Sequence, residues 1–121
     1  MSLLIFVLHD PAKLLDLLAE WENAGISGAT VLFSTGIGRL RAREGLRDDI
    51  PLMPSMEDFY PDPEHLSRTI FTMIDDEAVV EKVIRVTEEV VGDLTEQGKG
   101  LLMVLPVSQV YGLRKPPRGQ S

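Results

Sequence analysis

Apolar residues fall along this chain in two patterns, and their alternation predicts the architecture. Leu3-Leu-Ile-Phe-Val-Leu8 is an unbroken apolar run of strand length. It lacks polar alternation, so it predicts a central strand buried on both faces. Asp10-Pro11 follows as a helix start, with Asp as the N-cap and Pro at the first helical position. Leu14, Leu17, Leu18 and Trp21 then recur at helical spacing and make one apolar face, with Trp21 a core or interface anchor. Gly25 is the C-terminal stop. Ala29 to Phe33 reads as the second strand and Thr69 to Ile74 as the third, each rich in β-branched and aromatic residues.

Asp75-Asp76-Glu77 opens a second helix, with acidic groups at the positive end of its dipole. Its expected apolar face is Val79, Val83, Val86 and Val90, widened by Val80, Ile84 and Val91, and Gly92 stops it. So much valine lowers intrinsic helix propensity, so packing has to hold this helix. Gly92 to Gly100 is a polar connection. Leu101-Leu-Met-Val-Leu105 is the fourth strand, which Pro106 ends, and Val110-Tyr111 is a candidate short edge strand.

Between the second and third strands, Ser34 to about Leu66 shows no sustained period and holds Pro51, Pro54, Pro61 and Pro63. A loop of that length inside a compact domain is usually functional or disordered. Some helix is expected within Arg41 to Asp49. The order strand, helix, strand, long loop, strand, helix, strand is α+β. It is the βαββαβ pattern of a ferredoxin-like sandwich, an antiparallel four-stranded sheet with two helices on one face. One sheet face then lacks helices, and with strands this apolar it predicts oligomerisation. The expected layout is one domain over residues 1–113, with a flexible loop at 39–66 and a disordered tail at 114–121.

Composition narrows the function classes. The chain has 121 residues, 44% apolar and 26% charged, as a soluble globular domain does. Leu3 to Leu8 is too short to span a bilayer, and without a basic segment before it a signal peptide is not expected. There are no cysteines, which excludes disulfides and thiolate metal sites and is compatible with the cytoplasm. The net charge of −7 argues against general nucleic-acid binding and against insertion at an anionic membrane. Positive charge is concentrated, however. Arg39, Arg41, Arg43 and Arg47 fall in nine residues, and Arg114, Lys115 and Arg118 in the tail. The tail reads as solubilising. The loop cluster reads equally as a solvated loop or as part of a site, because it begins at Gly36-Ile37-Gly38-Arg39.

Gly36 and Gly38 let main-chain N–H groups turn toward a ligand, and Arg39 adds a planar fork of donors suited to phosphate. Gly-x-Gly also occurs in many ordinary turns, and taken alone these residues favour a bend with a surface arginine. Ile50, Leu52, Met53, Met56, Phe59 and Tyr60 give the loop apolar groups that suit either a partner or packing on its own fold. There is no Walker motif, no nucleophile elbow and no metal-ligand cluster, and His9 and His65 are far apart in sequence. Nothing in the residues points to an enzyme.

Four segments resemble the PII-like signalling proteins, the nitrogen regulatory P-II family. They are Leu3 to Asn23; Gly25-Ile-Ser-Gly-Ala-Thr-Val with Gly36-Ile-Gly-Arg39; Thr69 to Asp76 with its helix; and Gly98-Lys99 leading into Leu101-Leu-Met-Val-Leu-Pro-Val107 and Val110. The resemblance implies a homotrimer whose sheets face inward, with adenine-nucleotide sites (ADP, ATP, AMP or a cyclic form) between subunits. It implies a protruding T-loop that docks on a protein target such as a transporter or an enzyme. Thr30 would line the base pocket. Gly36, Ile37, Gly38 and Arg39 would meet the phosphate side, with Gly98-Lys99 as the phosphate-binding lysine turn and Arg114 as one of the arginines from the last strand. The loop, with Arg41, Arg43, Arg47, Phe59 and Tyr60, would carry the partner contact.

The chain also departs from the family. Gly92-Asp-Leu-Thr-Glu-Gln-Gly-Lys-Gly100 replaces the family's Thr-Gly-x-x-Gly-Asp-Gly-Lys loop, and Lys99 stands one position out. A diverged regulator is the leading expectation. An ACT- or CutA-type module that responds to an amino acid or a metal without nucleotide is the alternative. A third expectation is an interaction protein whose ligand site has decayed.

Overall fold

A computed structural model describes residues 1–37 and 66–113. The elements are β1 (Ser2–Leu8), a 3-10 turn (Pro11–Lys13), α1 (Leu14–Ala24), β2 (Thr30–Ser34), β3 (Ser67–Ile74), α2 (Glu77–Val91) and β4 (Leu101–Pro106). The expected loop and its helix within Arg41 to Asp49, and the expected tail, lie outside the described residues.

The strands form one antiparallel sheet in the order β2-β3-β1-β4. This is the ferredoxin-like arrangement that the element order predicts. The local signals act as their chemistry requires. Asp10 Oδ1 accepts from the Ala12 N–H at 3.1 Å, so it caps the 3-10 turn that leads into α1. Asp76 Oδ1 accepts from the Ala78 N–H at 2.9 Å at the start of α2. Gly25 closes α1 in the left-handed conformation, at φ 116°.

The core lies between the sheet and the helices. Leu4, Phe6 and Leu8 of β1, with Ile70 and Ile74 of β3, face Leu17 and Trp21 of α1 and Val80, Val83 and Val91 of α2. Trp21 is therefore a core anchor. Thr72 is buried among these apolar groups, and its hydroxyl donates to the Gly28 carbonyl at 2.5 Å, which ties the turn before β2 to β3.

Three expectations need correction. β1 is central but is not buried on both faces. Its residues alternate between buried (Ser2, Leu4, Phe6, Leu8) and half-buried (Leu3, Ile5, Val7), because the helices of one chain cover a single side. The buried stripe of α2 is Val80, Val83, Thr87 and Val91, rotated from the expected one, with Val79, Val86 and Val90 at its margins. Val110-Tyr111 forms no strand, and Tyr111 is 87% exposed.

The helix-free face is apolar. The pairings Leu3 with Met73 and Leu105, and Ile5 with Phe71 and Met103, place six apolar side chains there in two rows. Val7 with Leu101 continues it. Leu101, Met103 and Leu105 are each more than a third exposed, as is Leu32 of β2. Among the described residues no helix is long and apolar enough to cross a membrane.

Candidate functional site

β2 carries the first set of expected site residues toward one end of the sheet. Thr30 opens the strand, is exposed, and pairs with Phe71. Four residues on, Ser34 lies opposite Ser67, and its hydroxyl meets Thr69 Oγ1 at 2.8 Å. Next to that pair, His9 Nδ1 lies 3.4 Å from Ser67 Oγ. The strand thus leaves the sheet through a polar strip. Gly36 and Ile37 follow, both exposed, with Ile37 at 69% and open space around Gly36. Gly38 and Arg39 lie outside the described residues, as do Arg41, Arg43, Arg47, Phe59, Tyr60 and Arg114.

On the lysine side, the connection from α2 to β4 is shaped by glycine. Gly92, Gly98 and Gly100 all have positive φ. At Gly100 a Cβ would stand 2.6 Å from Phe6 Cζ and 2.9 Å from the Val7 carbonyl oxygen. That position is closed to every side chain. The chain enters β4 pressed against Phe6, and Lys99 stands one residue before that contact.

Lys99 is half-buried, and its side chain runs beside Gly92. A Cβ at Gly92 would meet Lys99 Cδ and Cε at 3.4 Å and Nζ at 3.6 Å. No hydrogen bond or ion pair joins the Lys99 ammonium to another described residue. The start of the connection is held by short polar bonds. Asp93 Oδ1 accepts from the Thr95 N–H at 2.9 Å and from the Thr95 hydroxyl at 2.7 Å, and Glu88 Oε2 accepts from the Leu94 N–H at 3.2 Å. The two bonds from Thr95 favour the ionised carboxylate and hold the Asp93 pKa below the ordinary aspartate value.

Strand direction brings the two sets of residues to the same end of the sheet. Ser34, Ser67, Leu8 and Leu101 are joined through successive register pairs near that end. Gly36 and Ile37 leave from the β2 edge, and Gly98 and Lys99 arrive at the β4 edge, which are opposite edges. Three inter-strand steps separate them, about 14 Å. One chain does not close a site between them.

Among the described residues no group of His, Asp and Glu could hold a metal ion. A groove lined by Lys13, Asp16, Ala19 and Glu20 beside Glu89 and Val90 contains none of the expected site residues. Two features escaped sequence reasoning. Gly92 reads as a helix stop, and only the closed loop reveals Lys99 against it. Thr87 reads as a polar interruption of a valine stripe, although its spacing from Val80 and Val83 marks it as inward-facing.

Comparison with curated proteins gives no match. A family model described as nitrogen regulatory protein P-II matches residues 2–116, nearly the whole chain.

Proposed function

The chain belongs to the nitrogen regulatory protein P-II family, and from that premise we propose that this regulator is a homotrimer sensing an adenine nucleotide between its subunits. It reports the ligand to a protein target through the loop at 40–66. The observation that most supports this reading is the placement of the two half-sites. Gly36 and Ile37, just past β2, and the Gly98-Lys99 turn lie at one end of the sheet but on opposite edges. The β2 edge of one subunit brought beside the β4 edge of the next would form a cleft with glycine N–H groups on one wall and a lysine on the other. Backbone donors and a cation are what a phosphate requires. The apolar helix-free face supplies a reason to assemble, since exposed apolar surface of this kind marks an association surface.

In this reading Thr30 lines the base pocket, while Gly36 to Arg39, with Arg114, approach the phosphates. Arg41, Arg43, Arg47, Phe59 and Tyr60 belong to the partner contact. Ligand binding would favour one arrangement of the loop, and the target would distinguish the arrangements.

A thermal-shift panel of AMP, ADP, ATP, cyclic AMP, cyclic di-AMP, 2-oxoglutarate and amino acids, run on the wild type and Arg39→Ala, tests the site. A ligand at 100 times its Kd stabilises by about 2.7 kcal/mol per site. The expected result is a shift with an adenine nucleotide that is lost in Arg39→Ala. A shift with an amino acid alone, or no response to any phosphate compound, overturns the nucleotide assignment.

A further inference from the structure

We propose that Gly92 is a positioning residue for Lys99, holding the lysine side chain at the end of α2 with its ammonium directed to an anionic ligand. This deepens the nucleotide reading and rests on it.

Three observations carry the inference. The lysine methylenes lie against Gly92 so closely that an added Cβ would touch Cδ and Cε at 3.4 Å. That is the near edge of ordinary contact, so a methyl group there would fill the space that the lysine methylenes now border. The Lys99 ammonium has no bonding partner among the described residues, although the residue is half-buried. A flexible amine confined in this way has already lost part of the rotamer freedom that ligand binding would remove. Finally, the lysine has no alternative seat at the next position, since Gly100 is pressed against Phe6 and the Val7 carbonyl.

Gly92 also suits the role through its backbone. Its φ of 102° and ψ of −175° lie in a region open essentially to glycine alone. Its N–H donates to the Glu88 carbonyl at 2.9 Å, so the glycine is fixed to the last turn of α2. A cation next to that turn also faces the negative end of the helix dipole. The seat is therefore rigid where it meets the helix and bare where it meets the lysine. In a chain whose phosphate loop departs from the family pattern, this arrangement keeps one cation in a defined place.

The test uses the full chain, with its four lysines carrying 13C-dimethyl labels, and ADP as the probe. Lys99→Arg assigns the Lys99 resonance. In the wild type, a nuclear Overhauser contact is expected between the Lys99 side chain and the Gly92 α-protons. In Gly92→Ala the Lys99 resonance is expected to move while those of Lys13 and Lys82 stay. Gly92→Ala should weaken ADP binding about ten-fold when Lys99 is present, the scale of one hydrogen bond to a charged group, and less than about two-fold in a Lys99→Ala background. An equal loss in both backgrounds, or an unmoved Lys99 resonance, overturns the proposal. If Gly92→Ala does not fold, the wild-type contact decides: its absence overturns the seat and its presence supports it. If ADP does not bind the wild type, the nucleotide reading fails on its own, and the resonance and the contact still decide whether Gly92 seats Lys99.

Discussion

Trp21 Nε1 donates to Thr87 Oγ1 at 2.8 Å, and both side chains are almost completely buried. The threonine hydroxyl in turn donates a hydrogen bond to the Val83 carbonyl at 2.6 Å, one turn back along α2. The indole and the hydroxyl satisfy each other, and together they pin α1 to α2 across the middle of the helical layer. Thr87→Val keeps the shape but removes the acceptor, which leaves a buried indole N–H without a partner. The expected loss of stability is about 1–3 kcal/mol. Urea denaturation of the two proteins measures it, and equal midpoints with equal slopes would show that the bond contributes nothing.

Gly100 makes a second prediction of the same kind through a different cause. Its φ is 128°, and an added methyl group would stand 2.6 Å from the Phe6 ring. Either the ring leaves its place in the core or β4 moves off β1. Gly100→Ala should therefore destabilise by about 2–4 kcal/mol, combining overpacking with backbone strain. Gly36→Ala meets open space and should stay within about 0.5 kcal/mol of wild type on the steric count. Thermal melts of the pair check the contrast, and similar losses at both positions would contradict it.

The fold was legible because the strong signals were local. The run Leu3 to Leu8 announced a central strand, and Asp10 and Asp76 announced helix starts. What misled was reading an unbroken apolar run as burial on both faces within one chain. β1 read as buried on both faces, whereas a single chain covers only the side bearing Leu4, Phe6 and Leu8. The face of α2 was misplaced because Thr87 counts as polar in a periodicity, although its spacing from Val80 and Val83 puts it on the inward side, where the Trp21 indole bonds to its hydroxyl. The glycines of the α2–β4 connection were visible as letters. Their separate roles, one seating Lys99 and another pressed on Phe6, depend on loop closure, which spacing does not encode.

The turn at Asp93 makes a prediction about pH. Its carboxylate accepts two hydrogen bonds from Thr95, and these hold its pKa below the ordinary aspartate value. A carboxyl with a depressed folded pKa stabilises its turn fully above the unfolded value and loses that contribution as pH falls through the folded value. The Thr95 amide resonance should therefore titrate with a midpoint below that of a free aspartate. Asp93→Ala should abolish the titration. A midpoint at or above the unfolded value would mean that the Thr95 bonds do not persist in solution.

Met103 gives the last prediction, because it lies within the helix-free face and outside the core. It pairs with Ile5, which in turn pairs with Phe71, so the three form one apolar row across β4, β1 and β3. Met103 is 38% exposed in the single chain. Met103→Glu puts a charge on that row without touching the side packed against α1 and α2. If the face is where subunits meet, burying an unpaired carboxylate there opposes assembly by several kcal/mol. Sedimentation velocity should then find three chain masses for the wild type and one for the variant, with matching far-UV spectra. Glu89→Gln, on the outer surface of α2, should leave the mass unchanged. A wild type that sediments as one chain would remove the cleft on which the nucleotide reading depends. A trimer that survives Met103→Glu would move the subunit contact away from this face, and the two half-sites would then need another route to each other.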